Sequence, residues 1–209
     1  TQSSFYLGLL NFANQLPVLL LGLVAGAMAD TVNRHKMLLC AQVLLMVQSV
    51  VLTVLTLTHT GTGMPVITIW SALALSLFAG IFQAFDLPAR QAFLLEMVPR
   101  EDLQNAVALN SLTFNTARII GPSIAGILIA ELAPLRPHQR AFGEGMCFLI
   151  NSLSYGAVLF SLLRMKLNPS PPRREPESRL QHMMDGLRFI RRRPHVKALL
   201  GHLSVMALF

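Results

Sequence analysis

Arg118 stands alone as a charge inside the apolar run from Leu103 to Ala130. A cation at mid-span costs roughly 2.5–3.5 kcal/mol on insertion scales, so something must hold it or use it. Ser111, Asn115, Pro122 and Gly126 share its stripe at helical spacing, and all are polar or small. Such a stripe faces a cavity or a partner rather than lipid. The alternative is a structural bond from Arg118 to backbone carbonyls at the break made by Gly121 and Pro122. A second stripe runs through Asn11, Asn14, Gln15, Gly22, Gly26 and Asp30. It lines a cavity, or it packs, and the Gly22–Gly26 pair would then let two helix backbones approach closely. Gln42, Gln48 and Gln83 are uncharged polar residues in apolar surroundings. Interhelical hydrogen bonds of about 0.6 kcal/mol each explain them as well as substrate contact does. His202 could carry a proton or be a bonded structural residue.

Hydrolytic, metal and nucleotide chemistry lack their residues. The two cysteines, Cys40 and Cys147, lie in apolar runs with no metal spacing and no disulfide framework. There is no glycine-rich loop ending in GK[ST], no H-E-x-x-H, no C-x-x-C and no G-x-S-x-G. The expectation is no enzyme, no cofactor and no bound metal.

The elements that must position these residues are membrane spans. Residues 1–29 and 37–85 contain no Asp, Glu, Lys or Arg. Hydrophobic residues make up 53% of the chain and charged ones 13%, against roughly 25% charged in a soluble domain. A span needs about 20 mostly apolar residues, and lipid offers a backbone no partner outside its own helix. The fold class is therefore all-α integral membrane, with spans expected at about 5–29, 37–58, 66–85, 103–130 and 145–163. Residues 86–102 read as a charged, partly helical connection. Residues 164–197 read as a basic cytoplasmic loop, with a Pro-rich linker and then an amphipathic helix through Leu180, Met183, Met184, Leu187 and Ile190. Residues 198–209 read as the start of a further span, so the chain resembles an interior piece of a longer protein. The first apolar run has no basic leader or cleavage site and is not a signal peptide.

The net charge of +7 sits in the breaks between apolar runs, which argues against nucleic acid as a partner. Segments 30–36, 86–102 and 164–197 together carry fourteen Lys and Arg, while 59–65 and 131–144 carry two, Arg136 and Arg140. By the positive-inside rule the first set is cytoplasmic, and the first span runs from outside to inside.

The first cytoplasmic turn reads Gly26-Ala-Met-Ala-Asp30-Thr-Val-Asn-Arg34-His-Lys36. It resembles the G-x-x-x-D-R-x-G-R-[RK] loop of the major facilitator superfamily, with Thr31 and Asn33 departing from the usual Arg and Gly. Arg118-Ile-Ile-Gly121-Pro122-Ser-Ile-Ala-Gly126 is similar to the fifth-helix motif of that family's drug and proton antiporters. Asp86-Leu-Pro88-Ala-Arg90, with Val98-Pro99-Arg100 and Asn105 to Asn110, resembles the enterobactin-exporter-like, or transmembrane secretion effector, branch.

The resemblance implies the N-terminal half of a major-facilitator bundle, here helices two to six and the start of the seventh. It implies a multi-pass inner-membrane exporter of a siderophore or amphipathic drug, exchanging for protons and alternating access by rocking against a C-terminal half. Its partners would be the bilayer, a small-molecule substrate, protons and that other half. Gly26, Asp30, Arg34, Lys36, Asp86 and Arg90 would form the cytoplasmic gate, with Arg34 pairing Asp86 and Asp30 bonding a helix N-terminus of the other half. Arg118, Gly121, Pro122 and Gly126 would form the antiporter-like helix; Asn11, Asn14, Gln15, Gln83 and Asn115 would line the cavity. The spans so drawn hold no carboxylate, so the proton carrier is expected in the helices of the other part of the transporter or at Asp30 or Asp86 at the span edges. An importer or facilitator of the same fold, or a non-transporting scaffold, is the alternative.

Overall fold

The computed structural model describes residues 4–58, 64–135 and 141–165, apart from the side chains of Asp30 and Thr31. The basic loop from residue 166, its amphipathic stretch and His202 lie outside the described residues. Five helices follow in order: α1 (Ser4–Thr31), α2 (Arg34–Leu57), α3 (Ile69–Met97), α4 (Leu103–Leu132) and α5 (Phe142–Arg164). Each is long and apolar enough to cross a membrane. Large apolar side chains such as Leu19, Trp70 and Ile119 stand out from the helices. In water they would be an aggregation hazard; in lipid they are the normal outer surface.

Local chemistry sets the helix ends. Asn33 caps α2, its side chain accepting from the Lys36 amide at 3.1 Å. Thr68 and Ser71 cap α3 reciprocally through side chain and backbone. Pro17, Pro88 and Pro122 lie inside α1, α3 and α4 without ending them, as neighbouring groups in membrane helices allow.

The third helix is longer than the span expected at 66–85. It continues to Met97, so the segment 86–97 is helix and Asp86 lies inside the element rather than at its cytoplasmic edge. The end of the charge-free run at Phe85 reads as a boundary, but the helix runs on through Asp86 and Pro88.

In space the helices lie side by side as α1, α3, α2, α5, α4, while α1 meets α2, and α3 meets α4, only lightly. Gly80 lies so close to α1 that a Cβ there would collide with the Asn14 backbone carbonyl. A Cβ added at Gly143 of α5 would likewise come to 2.9 Å from the Ile129 backbone of α4. Gly22 and Gly26, expected to mediate such an approach, have open space beside them; the close contact between α1 and its neighbour uses the glycine of α3 instead. A small apolar cluster of Ala29, Met37, Leu38, Ala89, Phe93 and Leu162 joins α1, α2, α3 and α5 near the turn between α1 and α2.

Candidate functional site

Three polar layers run down α2. At its N-terminus, Arg34 joins the ends of two other helices. Its Nε donates to the Ala29 carbonyl of α1 at 3.1 Å, and its Nη1 to the Ala92 carbonyl of α3 at 3.3 Å. The same Nη1 pairs with Glu96 at 2.8 Å. The Arg34 side chain keeps only 13% of its exposure. His35 beside it contacts the Leu162 carbonyl of α5 through Nε2 at 3.0 Å, its ring 5.7 Å from Phe93. Helix C-termini carry unsatisfied carbonyls and partial negative charge. The start of α2 thus supplies donors and cations to the C-terminal ends of α1, α3 and α5.

One layer deeper lies a buried carboxylate. Asp86 is 6% exposed. Gln42 of α2 donates to its Oδ1 at 2.6 Å, and Arg90, one turn along α3, donates to its Oδ2 at 3.0 Å. Each carboxylate oxygen therefore has a donor, which a buried charge requires. Ten residues of helix separate Asp86 from Glu96, about 15 Å along the axis. That spacing corrects the expected Arg34–Asp86 pair: Arg34 lies level with Glu96, and Asp86 takes Gln42 and Arg90.

The third layer is a hydroxyl cluster between α2 and α5. Ser49 donates to the Phe148 carbonyl at 3.3 Å and accepts from Asn151 at 3.0 Å. Ser152 lies 3.0 Å from Ser49, and Thr53 donates to the Ser49 carbonyl at 2.9 Å. Sequence patterning missed this cluster, because single Ser and Thr residues are common in membrane helices and their meeting depends on register across two elements.

The remaining expected site residues are scattered. Asn14 donates to the Ser76 carbonyl of α3 at 3.3 Å, a packing bond between helices, whereas Asn11 and Gln15 are exposed. Gln83 is half-buried, Lys36 is exposed, and Asp30 falls in the last turn of α1. On α4 nothing is buried. Asn115 folds back to its own helix at the Ser111 carbonyl, 2.8 Å. Arg118 is exposed, with no hydrogen bond or ion pair among the described residues, and Gly121 and Gly126 have open space beside them. The backbone-bonded alternative for Arg118 is therefore not adopted among these residues.

The model of the transmembrane secretion effector family matches residues 1–209. The chain belongs to this family of the major facilitator superfamily. It is 34% identical over 171 residues to the staphyloferrin A transporter of Staphylococcus aureus, covering 81% of this chain and 39% of that protein. The enterobactin exporter EntS of Shigella boydii is 28% identical over 188 residues, 88% of this chain and 41% of EntS. The multidrug efflux pump Tap of Mycolicibacterium fortuitum is 26% identical over 190 residues, 90% of this chain and 44% of Tap. The chain thus spans about two-fifths of the length of the curated relatives it matches. No solved structure matches it. The fold is an all-α, multi-pass membrane bundle of the N-terminal-half type, and the family and relatives are transporters rather than enzymes.

Proposed function

We propose that residues 1–209 form the N-terminal half of a secondary exporter in the inner, or plasma, membrane, working by alternating access in exchange for protons. The observation that carries this reading is Asp86, a buried carboxylate inside a membrane-length helix, balanced by Gln42 and Arg90. Ionisable groups at such positions are rare and mark ion or proton pathways by default. A proton on Asp86 would cancel its charge, weaken its hold on Arg90 and ask Gln42 to rotate its amide. That couples protonation to the contact between α2 and α3. The cytoplasmic clamp at Arg34 holds the helix ends together while a second half rocks against α4 and the Asp30 end of α1. Gly121 and Pro122 would bend and thin α4 where the halves would meet.

The relatives named above for a siderophore and for multidrug efflux support a siderophore or an amphipathic drug as cargo. The test uses cells expressing the complete gene that encodes this chain, with membrane levels matched. Accumulation of enterobactin, staphyloferrin A and cationic dyes is followed with and without an uncoupler, for wild type, Asp86→Asn and Arg118→Ala. Lower accumulation in wild type, abolished by the uncoupler and by Asp86→Asn, is the expected result. Export that survives both the uncoupler and Asp86→Asn would remove the proton role. Raised accumulation would reverse the direction, and no change across the whole panel would leave the fold without the activity.

A further inference from the structure

Gln42, Leu45, Ser49, Thr53 and Thr56 follow one another down one face of α2 at helical spacing, and all are buried. Fourteen residues separate Gln42 from Thr56, about 21 Å of helix. Gln42 holds Asp86 at 2.6 Å. Ser49 meets Ser152 at 3.0 Å, and Thr53 lies 3.4 Å from Ser152. Leu45 is the apolar step in this file, and α5 supplies a hydroxyl there. His35 meets the Leu162 carbonyl, Ser49 meets Ser152, and Gly145 lies against Leu57. The two helices are therefore antiparallel, and their register sets Tyr155 level with Leu45, between Gln42 and Ser49. Tyr155 is half-buried and interacts electrostatically with both Asp86 and Arg90. Ser152 is one turn away on the same helix.

Interhelical bonding accounts for Ser49, Thr53 and Ser152. It does not account for Thr56. Thr53, Thr113 and Ser161 turn their hydroxyls back to the carbonyl four residues earlier. Thr56 is 2% exposed, and its Oγ1 has no partner among the described residues. A buried hydroxyl without a bond is costly, and an internal water or a working role is its usual explanation.

We infer that the seam between α2 and α5 is a proton path, running from the Thr56 end of α2 through the Ser49 cluster and Tyr155 to Asp86. It rests on the reading that Asp86 takes up a proton. Arg90 on α3, Gln42 on α2 and Tyr155 on α5 face that carboxylate. Arg90 stays protonated and Gln42 has no proton to exchange, so the phenol is the one of the three that can both accept a proton and give one. Each hydroxyl takes a proton on its oxygen and releases its own to the next. The file ends as it began, and one proton arrives on an Asp86 oxygen. An internal water on Thr56 would pass protons in from the helix end.

The test uses the protein expressed from its complete gene, in nanodiscs, after a rapid drop in pH. Time-resolved infrared spectroscopy follows the carboxyl C=O stretch of protonated Asp86, assigned by its loss in Asp86→Asn. Tyr155→Phe and Thr56→Val each remove one hydroxyl and no hydrogen bond seen among the described residues. Each should slow the rise of the band about tenfold, below the full worth of a positioned proton-transfer group, and leave its final size unchanged. Ser161→Ala, a hydroxyl off the seam, should alter neither. Unchanged rates in both seam variants would overturn the path and leave the role of Asp86 intact. A changed final size at unchanged rate would also overturn it, making Tyr155 a neighbour that only tunes Asp86. A wild-type protein that shows no such band would remove the proton from Asp86, and the path with it.

Discussion

The start of α2 and the middle of α4 carry comparable polar cargo and treat it in opposite ways. Arg34 makes two carbonyl bonds and an ion pair within its own bundle. Arg118 makes no bond to any described residue, on a helix with nothing buried. A membrane protein cannot leave a cation idle at such a depth. Where the cost is offset inside the bundle, the residue is part of the fold; where it is not among the described residues, the proposed function gives the residue to the half the bundle would meet. The same split separates the glycines, with Gly80 pressed on Asn14 and Gly126 facing open space. The two regions should therefore respond differently to substitution when folding and transport are read separately.

The largest effect on folding is expected from Gly80→Val. Its Cβ would strike the backbone of Asn14, and backbone cannot move aside as a side-chain tip can. Overpacking costs typically about 1–3 kcal/mol and more where nothing yields, so α1 should separate from α3. Thermal unfolding of the purified protein in detergent would show loss of the main transition, while Gly126→Val on α4 should leave it nearly in place. Equal shifts for both would break the comparison.

Arg34→Ala comes next. It removes a mostly buried guanidinium and leaves the Ala29 and Ala92 carbonyls and Glu96 without that donor. Losing charge-assisted bonds of this kind costs about 3 kcal/mol. Arg34→Lys keeps the charge but not the forked geometry, so it should fall between. Denaturation midpoints in a graded detergent series would rank the three proteins. Ser49→Ala should cost less, about 1 kcal/mol, since interhelical hydroxyl bonds average about 0.6 kcal/mol each. The double change Ser49→Ala with Ser152→Ala should cost little more than the single one, because they share one cluster.

How much of this was legible beforehand follows the same physics. Charge-free stretches announce spans, because lipid forces every backbone group into a helix, and the motifs around Arg34 and Arg118 name the family. Asp86, Arg90 and Gln42 were each legible as polar residues to be accounted for, but not their meeting, nor that Asp86 lies inside α3. The span was drawn to end with the charge-free run at Phe85, yet α3 runs on to Met97, with Gln42 and Arg90 balancing the charge inside it. The partner of His35 lies 127 residues away, and no local pattern points to a carbonyl at that range. The Gly22–Gly26 pair has open space beside it among the described residues; spacing shows that an approach is possible, but not which helix supplies the glycine.

Arg118→Ala should have the smallest effect on folding and one of the largest on transport. With no bond to lose among the described residues, its stability should change by no more than about 0.5 kcal/mol, as for other surface positions. Removing an unpaired cation from a lipid-length helix would even ease insertion. Transport by the protein expressed from its complete gene should fall at least tenfold, which corresponds to about 1.4 kcal/mol of lost interaction in the transport cycle. Arg118→Lys tests whether charge alone suffices or a fork is needed. A large drop in stability for Arg118→Ala would mean that this residue is held by the rest of the protein in its resting state, and α4 would then join the start of α2 as part of the scaffold. A drop in transport at unchanged stability would keep the two regions apart, one building the bundle and the other working against its partner.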